Sequence, residues 1–176
     1  MVATEQQKLL LLDWARKVHS LEYGHRLESK SKEGINMWLG IPSIIMATLV
    51  AGFASFPKVE GSDAKTVVVI GSIICSAAVA ILTGVQTFIK PSEQAEKHRF
   101  FSSLYEALRH KIEQVLVTPD LTSEYVLTQL AKIEKEFHKL REHSPNVSSD
   151  NWDKGKAIAD NLKSYPKSMK YELSPK

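Results

Sequence analysis

Residues 34–56 read GINMWLGIPSIIMATLVAGFASF and residues 66–89 read TVVVIGSIICSAAVAILTGVQTFI, with only PKVEGSDAK (57–65) between them. The first run holds 23 residues and the second 24, and neither contains a charge. At about 1.5 Å per helical residue each reaches roughly 34 Å, enough to cross a hydrocarbon core of about 30 Å. The connector is too short to be a domain and forms the tip of a hairpin. Core helices of soluble proteins are usually shorter and amphipathic, whereas these runs are apolar on all sides apart from small and hydroxylated residues. The expected fold is an all-α membrane protein: a two-helix transmembrane hairpin, spans about 35–56 and 66–89, with cytoplasmic helices before and after it.

The chain average conceals this pattern. Of 176 residues 24% are charged, a soluble composition, yet every charge lies outside the two runs. The apolar stretch from Leu9 to Leu12 is below the roughly 7–15 residues of a signal-peptide core and is followed by Asp13, so the first span acts as its own insertion signal. Cys75, the single cysteine, lies inside the second run. There is accordingly no disulfide framework and no thiolate metal cluster. Lys58 and Lys65 in the connector are balanced by Glu60 and Asp63. Arg26, Lys30, Lys32, Lys90, Lys97, Arg99 and Arg109 lie on the other side. Seven cations against two place both termini in the cytoplasm. The net charge of +3 reflects juxtamembrane anchoring and is too small to argue for nucleic acid.

Each run is polarised across its width when projected at about 100° per residue. In the second, Ser72, Ser76, Ala80, Thr83 and Thr87 share an arc with Gln86 at its edge, although Val79 interrupts it. Ile70, Ile74, Ile81, Val85 and Phe88 lie opposite. In the first, Asn36, Gly40, Ser43, Ala47, Ala51 and Ala54 form a small-residue stripe, with Trp38, Ile45, Leu49, Phe53 and Phe56 roughly opposite. Small and hydroxylated faces are where membrane helices pack, by close approach and hydrogen bonds. They serve either hairpin packing within one chain or, once copies assemble, the lining of a water-filled path. One hairpin cannot enclose a channel, and the absence of charge within the spans argues against a proton relay or a voltage sensor. Pro42 removes a backbone donor and crowds the preceding turn, so a helix break or bend is expected near Gly40 to Pro42. Trp38 sits where an aromatic belt residue belongs.

Outside the spans, residues 5–32 read as an amphipathic helix with Leu11, Ala15, Val18 and Leu21 on one side, weakened at Gly24 and ending at Gly34. A second helix, 92–117, carries Phe101, Leu104, Leu108, Ile112 and Val115. A third, 123–142, carries Val126, Leu130, Ile133, Phe137 and Leu140 at alternating steps of four and three, a heptad seam. That seam serves either packing inside the chain or oligomerisation. From Ser144 onward periodicity is lost. Residues 144–176 read as a flexible basic tail that contains at most a short helix around 153–163 and touches anionic lipid. The first 143 residues form the two-span domain.

Nothing in the chain makes an active site. It has no phosphate-cradling glycine loop, no HExxH pattern and no nucleophile elbow. His98 and His110 are too far apart on one helix to share a metal, and His19 and His25 do not share a face well. The histidines read as solvated or capping residues. No enzyme, cofactor or metal site is expected. The Asn146-Val147-Ser148 sequon is silent on the cytoplasmic side.

Three segments resemble the SLATT family of two-transmembrane effector domains: Trp14-Ala15-Arg16, Asn36-Met37-Trp38-Leu39-Gly40-Ile41-Pro42 leading into the first span, and Glu96-Lys97-His98-Arg99-Phe100-Phe101-Ser102-Ser103-Leu104-Tyr105 after the second. The resemblance covers residues 9–142. It implies an effector of a bacterial antiviral or conflict system, located in the inner membrane. Such an effector works beside an upstream sensor or signal-generating protein such as a nucleotidyltransferase, a nucleotide-sensing domain or a reverse transcriptase. Its partners would be the lipid bilayer, further copies of itself and that sensor. The function expected is an oligomer that forms a pore or otherwise disrupts the membrane when triggered. The alternatives are a membrane anchor that recruits a cytoplasmic partner through its helical region, and a small subunit of a transport complex.

Overall fold

The computed structural model describes residues 5–55, 62–118 and 122–161. Every element among them is a helix: α1 (Glu5–Ser55), α2 (Ser62–Ile89), α3 (Pro91–Val117), α4 (Ser123–His143) and α5 (Ser149–Asp160). They belong to two compact units. One comprises Met1–Lys30 with Ala95–Lys176, the other Ser31–Gln94. α1 and α2 each contain a stretch long and apolar enough to cross a membrane.

In the unit of Ser31–Gln94, α1 and α2 run antiparallel. The Gln86 amide donates to Asn36 Oδ1 at 2.8 Å, and Gly71 faces Phe53. Thus residues advancing along α1 meet residues receding along α2. α1 is one continuous helix of 51 residues with Pro42 inside it. The helix end expected at Gly34 is therefore corrected, and of the break or bend expected near Gly40 to Pro42 the break is corrected. Pro42 cannot donate to the carbonyl four residues back, that of Trp38. In the next position the Ser43 hydroxyl donates to Leu39 O at 2.8 Å. α2 begins at Ser62, four residues before the uncharged run; residue 56 and residues 57–61 of the connector lie outside the described part.

A single residue, Lys90, separates α2 from α3 and adopts a left-handed backbone, φ 49°. For a residue other than glycine this costs about 1–2 kcal/mol. The following Pro91 explains it: proline disfavours helical geometry in the residue before it and suits the first position of the next helix. The Lys90 N–H still reaches Gln86 O at 2.9 Å, and its carbonyl accepts from Gln94 N at 3.1 Å. The Gln94 side chain donates to Ile89 O at 2.8 Å, capping the end of α2.

In the other unit, Leu11, Ala15 and Val18 of α1 join Phe101, Tyr105, Leu108, Ile112 and Val115 of α3 and Val126, Leu130 and Ile133 of α4 in one core. Tyr105 is fully buried, whereas Leu104, which the periodicity favours, only borders the core. α4 starts at the cap Thr122, whose hydroxyl accepts from Tyr125 N at 3.3 Å. Its seam of Val126, Leu130 and Ile133 is buried, with Phe137 and Leu140 packed beside it. The seam is thus spent inside the chain, the first of the two uses expected of it, and the other, an oligomerisation seam, is corrected.

The stretch from 144 onward also needs correction. α5 starts at Ser149, and Gly155 and Ala159 are buried. It approaches α1 most closely at Gly155. A Cβ added to Gly155 would lie 2.7 Å from Ser20 O and 2.8 Å from Gly24 N. Glycine at 155 lets the two backbones meet. Arg16 pairs with Asp160 through two hydrogen bonds of 2.5 and 2.9 Å. The Glu28 carboxylate accepts from Ser148 Oγ at 2.7 Å and from Asn151 Nδ2 at 2.6 Å. The short polar segment thus docks by hydrogen bonds and close backbone approach, which aliphatic periodicity does not reveal. The rest of the supposed tail, 162–176, lies outside the described residues.

Candidate functional site

Two places bear on function: the outer surface of the hairpin, and a polar cluster buried within the helical unit. On the hairpin, the large apolar side chains are outside. Trp38 is 81% exposed, Phe88 90% and Ile81 66%. The small and hydroxylated residues divide between two faces. Asn36, Gly40 and Ser43 of α1, with Ser72 and Gln86 of α2, are half-buried between the helices. Ser76, Ala80, Thr83 and Thr87 are exposed, as are Ala47 and Ala51. Asn36 and Gln86 are bonded to each other.

By helical projection the exposed residues of α2 follow steps of four, three and four, centred roughly 120° round the helix from the face that meets α1. A third face carries Ile70, Ile74, Ile81 and Phe88. Within the stripe the Thr87 hydroxyl bonds inward to Thr83 O at 2.8 Å, as the Ser72 hydroxyl on the neighbouring face does to Val69 O. Beside it, Val50, Phe53, Ala54, Val68, Val69, Ser72, Ile73 and Ser76 line a mainly apolar cavity of about 470 Å³.

The second place was not visible to the sequence reading. α1 and α3 are antiparallel here, tied by the Ser29 hydroxyl donating to Ala95 O at 2.9 Å and the Ser102 hydroxyl to Glu22 O at 3.1 Å. Between them lie His19, Glu22, His25 and Glu28 of α1 and His98 and Arg109 of α3, all buried. His25 Nδ1 and His98 Nδ1 are 2.9 Å apart. His25 also stacks on Tyr105, with ring centroids 5.4 Å apart, and on Phe101 at 6.0 Å. The histidines read from sequence as solvated or capping are thus corrected at positions 19, 25 and 98. Arg109, counted as a juxtamembrane anchor, is corrected as well. It donates to Glu22 Oε2 at 2.8 Å and to Glu113 Oε1 at 2.6 Å.

Burial governs the protonation of these groups. It pushes the His19 imidazole down from 6.5 to about 4, assisted by the Arg109 and Arg26 charges. It does the same to His25, again to about 4, assisted by His98 and opposed by Glu28. Burial raises the Glu22 carboxyl, and Arg109 works against that rise. For Arg109 itself burial acts downward, but the bonds to Glu22 and Glu113 outweigh it and hold the guanidinium charged. Among the described residues no group of three or more histidine, cysteine, aspartate and glutamate side chains is arranged to hold a metal ion.

Comparison of the chain with known protein families, with curated proteins and with solved structures gives no match.

Proposed function

We propose that this chain is a membrane-embedded effector whose hairpin associates with copies of itself and, once triggered, lets water and ions across the bilayer. The observation that carries this reading is the division of the hairpin's exposed surface: bulky apolar side chains such as Trp38, Ile81 and Phe88 on one part, and Ser76, Ala80, Thr83 and Thr87 on another. A bulky face suits lipid, and a small hydroxylated face suits another helix or water. In this reading the residue 34–56 and 66–89 runs span the inner membrane of a bacterium. Both termini are cytoplasmic, because basic residues still crowd the side of Lys30 and Lys97 after Arg109 is withdrawn from the count. The resemblance to SLATT domains supports the role of an antiviral or conflict-system effector and a trigger from an upstream sensor.

The test is release of a trapped dye from liposomes containing the reconstituted protein, alone and with candidate activating partners. The expected result is release by the native chain and its loss in the Ser76→Leu/Thr83→Leu variant. Assembly without release under every activating condition would end the pore reading. Equal release by the variant would remove the stripe from it. The scaffold alternative loses the surface suggested for it, because the α4 seam is occupied within the chain.

A further inference from the structure

We infer that the His25–His98 pair is a proton-responsive lock between α1 and α3: neutral, it ties the two helices together, and protonation releases them. The inference concerns the helical unit alone and does not require the hairpin to conduct.

The tautomers follow from the hydrogen-bond inventory. Two neutral imidazoles facing each other through Nδ1 at 2.9 Å share one hydrogen: one ring donates and the other accepts. His25 Nε2 is buried without a partner. A buried donor left unpaired is worse than an unpaired acceptor, so His25 carries its hydrogen on Nδ1 and gives it to His98, leaving a bare lone pair on Nε2. An added proton has two places to go. On His25 Nε2 it creates a cation and an N–H with no acceptor, enclosed by Phe101 and Tyr105. On His98 Nδ1 it sets two N–H groups against each other across 2.9 Å. Stacking on the two rings offers a cation some attraction, less than burial without an acceptor costs.

Among the described residues the surroundings do not supply the missing acceptor. From α1 the pair is faced by Glu28, and further along by Glu22 and Arg26. Glu28 is already held by Ser148 and Asn151, which precede and begin α5. Glu22 is held by Arg109, and Arg26 lies beside Glu22 and Glu106. α3 contributes Tyr105 and Arg109. α4 contributes Phe137 edge-on to Tyr105, with Arg141 over the Phe137 ring. The nearest carboxylate is thus committed to the α5 segment. A proton on His25 that draws Glu28 away loosens that segment too. Burial holds the His25 pKa at about 4 in the closed arrangement, whereas an exposed histidine titrates near 6.5. Opening therefore becomes easier as pH falls from about 6.5.

Amide hydrogen exchange of the full chain in lipid nanodiscs at pH 7.5 and 5.0, corrected for intrinsic rates, tests the lock. The expected result is exchange faster by at least about tenfold at the lower pH in residues 22–29 and 95–102. His25→Asn/His98→Asn keeps a donor and an acceptor at the pair but no titrating ring. It should lose most of this response, while His19→Asn keeps it. A native chain without the response, a double variant that responds like the native chain, or a response abolished by His19→Asn alone would each overturn the proposal. If the double variant does not fold, histidine-labelled NMR of the native chain decides. Protonation of His25 and His98 at the pH where exchange rises supports the lock; rings that stay neutral through the opening contradict it.

Discussion

The two parts of α1 use the surface of one helix in contrasting ways. Up to Lys30 the buried side starts apolar, with Leu11, Ala15 and Val18, and continues in the same register as Glu22, His25 and Ser29, all buried. From Ser31 the bulky apolar residues Trp38, Ile44 and Leu49 are exposed, and Asn36, Gly40 and Ser43 are half-buried. One part hides charge and the other displays hydrocarbon. The helical unit gains specificity from buried pairs that punish mismatch. The hairpin gains it from small residues that admit close approach and from a single amide bond, Gln86 to Asn36. Breaking a buried ion pair by removing one partner is severe, whereas removing a hydrogen bond between membrane helices is mild. Mutations should therefore act very unequally on the two regions.

The largest effect is expected from Arg109→Ala. It leaves the Glu22 carboxylate buried without its strongest partner and should cost about 3–5 kcal/mol in denaturant titration of the full chain in micelles. Combining it with Glu22→Gln should recover part of the loss, because no charge then remains to be desolvated. A loss of comparable size is expected on acidification. His19 and His25 both titrate near 4 in the folded chain and near 6.5 when exposed. Their neutral burial is therefore uncompromised above about pH 6.5, and stability falls as pH drops from there toward 4, by roughly 3 kcal/mol for each ring. Glu22, whose pKa burial raises, works in the opposite sense and offsets part of it. Stability constant between pH 7.5 and 4.5 would contradict the burial of these rings.

Gly155→Val ranks next. Its Cβ would meet the backbone of Ser20 and Gly24, which no rotamer change can move aside. Overpacking of this kind costs about 1–3 kcal/mol and should appear as faster proteolysis within residues 144–161. The smallest effect is expected in the hairpin. Gln86→Leu removes the bond to Asn36 and should lower thermal stability by no more than about 1 kcal/mol.

The all-helical fold was legible because it rests on runs and periods that a single chain displays. The uncharged runs, the first as far as Ser55 and the second over 66–89, fall on two long helices, and the steps of four and three at Phe101–Val115 and Val126–Leu140 fall on α3 and α4. The unbroken passage of α1 through Pro42 was not legible, because proline by itself argues for the end of a helix, whereas a helix of 51 residues continues past the loss of one backbone hydrogen bond. α5 was foreshadowed only as a short helix around 153–163; its start at Ser149 and its docking were missed because a close approach at Gly155 and hydrogen bonds to Glu28 hold it, with hardly any aliphatic surface. The histidine pair was missed because His25 and His98 are 73 residues apart. A trace of it was nevertheless present: the seam Leu11, Ala15, Val18 continues at the same spacing as Glu22, His25 and Ser29. A heptad seam that turns polar without ending announces buried polar partners on another helix.

The central claim is that the hairpin keeps its bulky face for lipid and its small face for another copy. Single-cysteine variants on a Cys75→Ser background, crosslinked in bilayers, test it most directly. Ala80→Cys should give abundant crosslinked dimers and Ile81→Cys few. Equal crosslinking at both positions, or more at 81, would contradict the account.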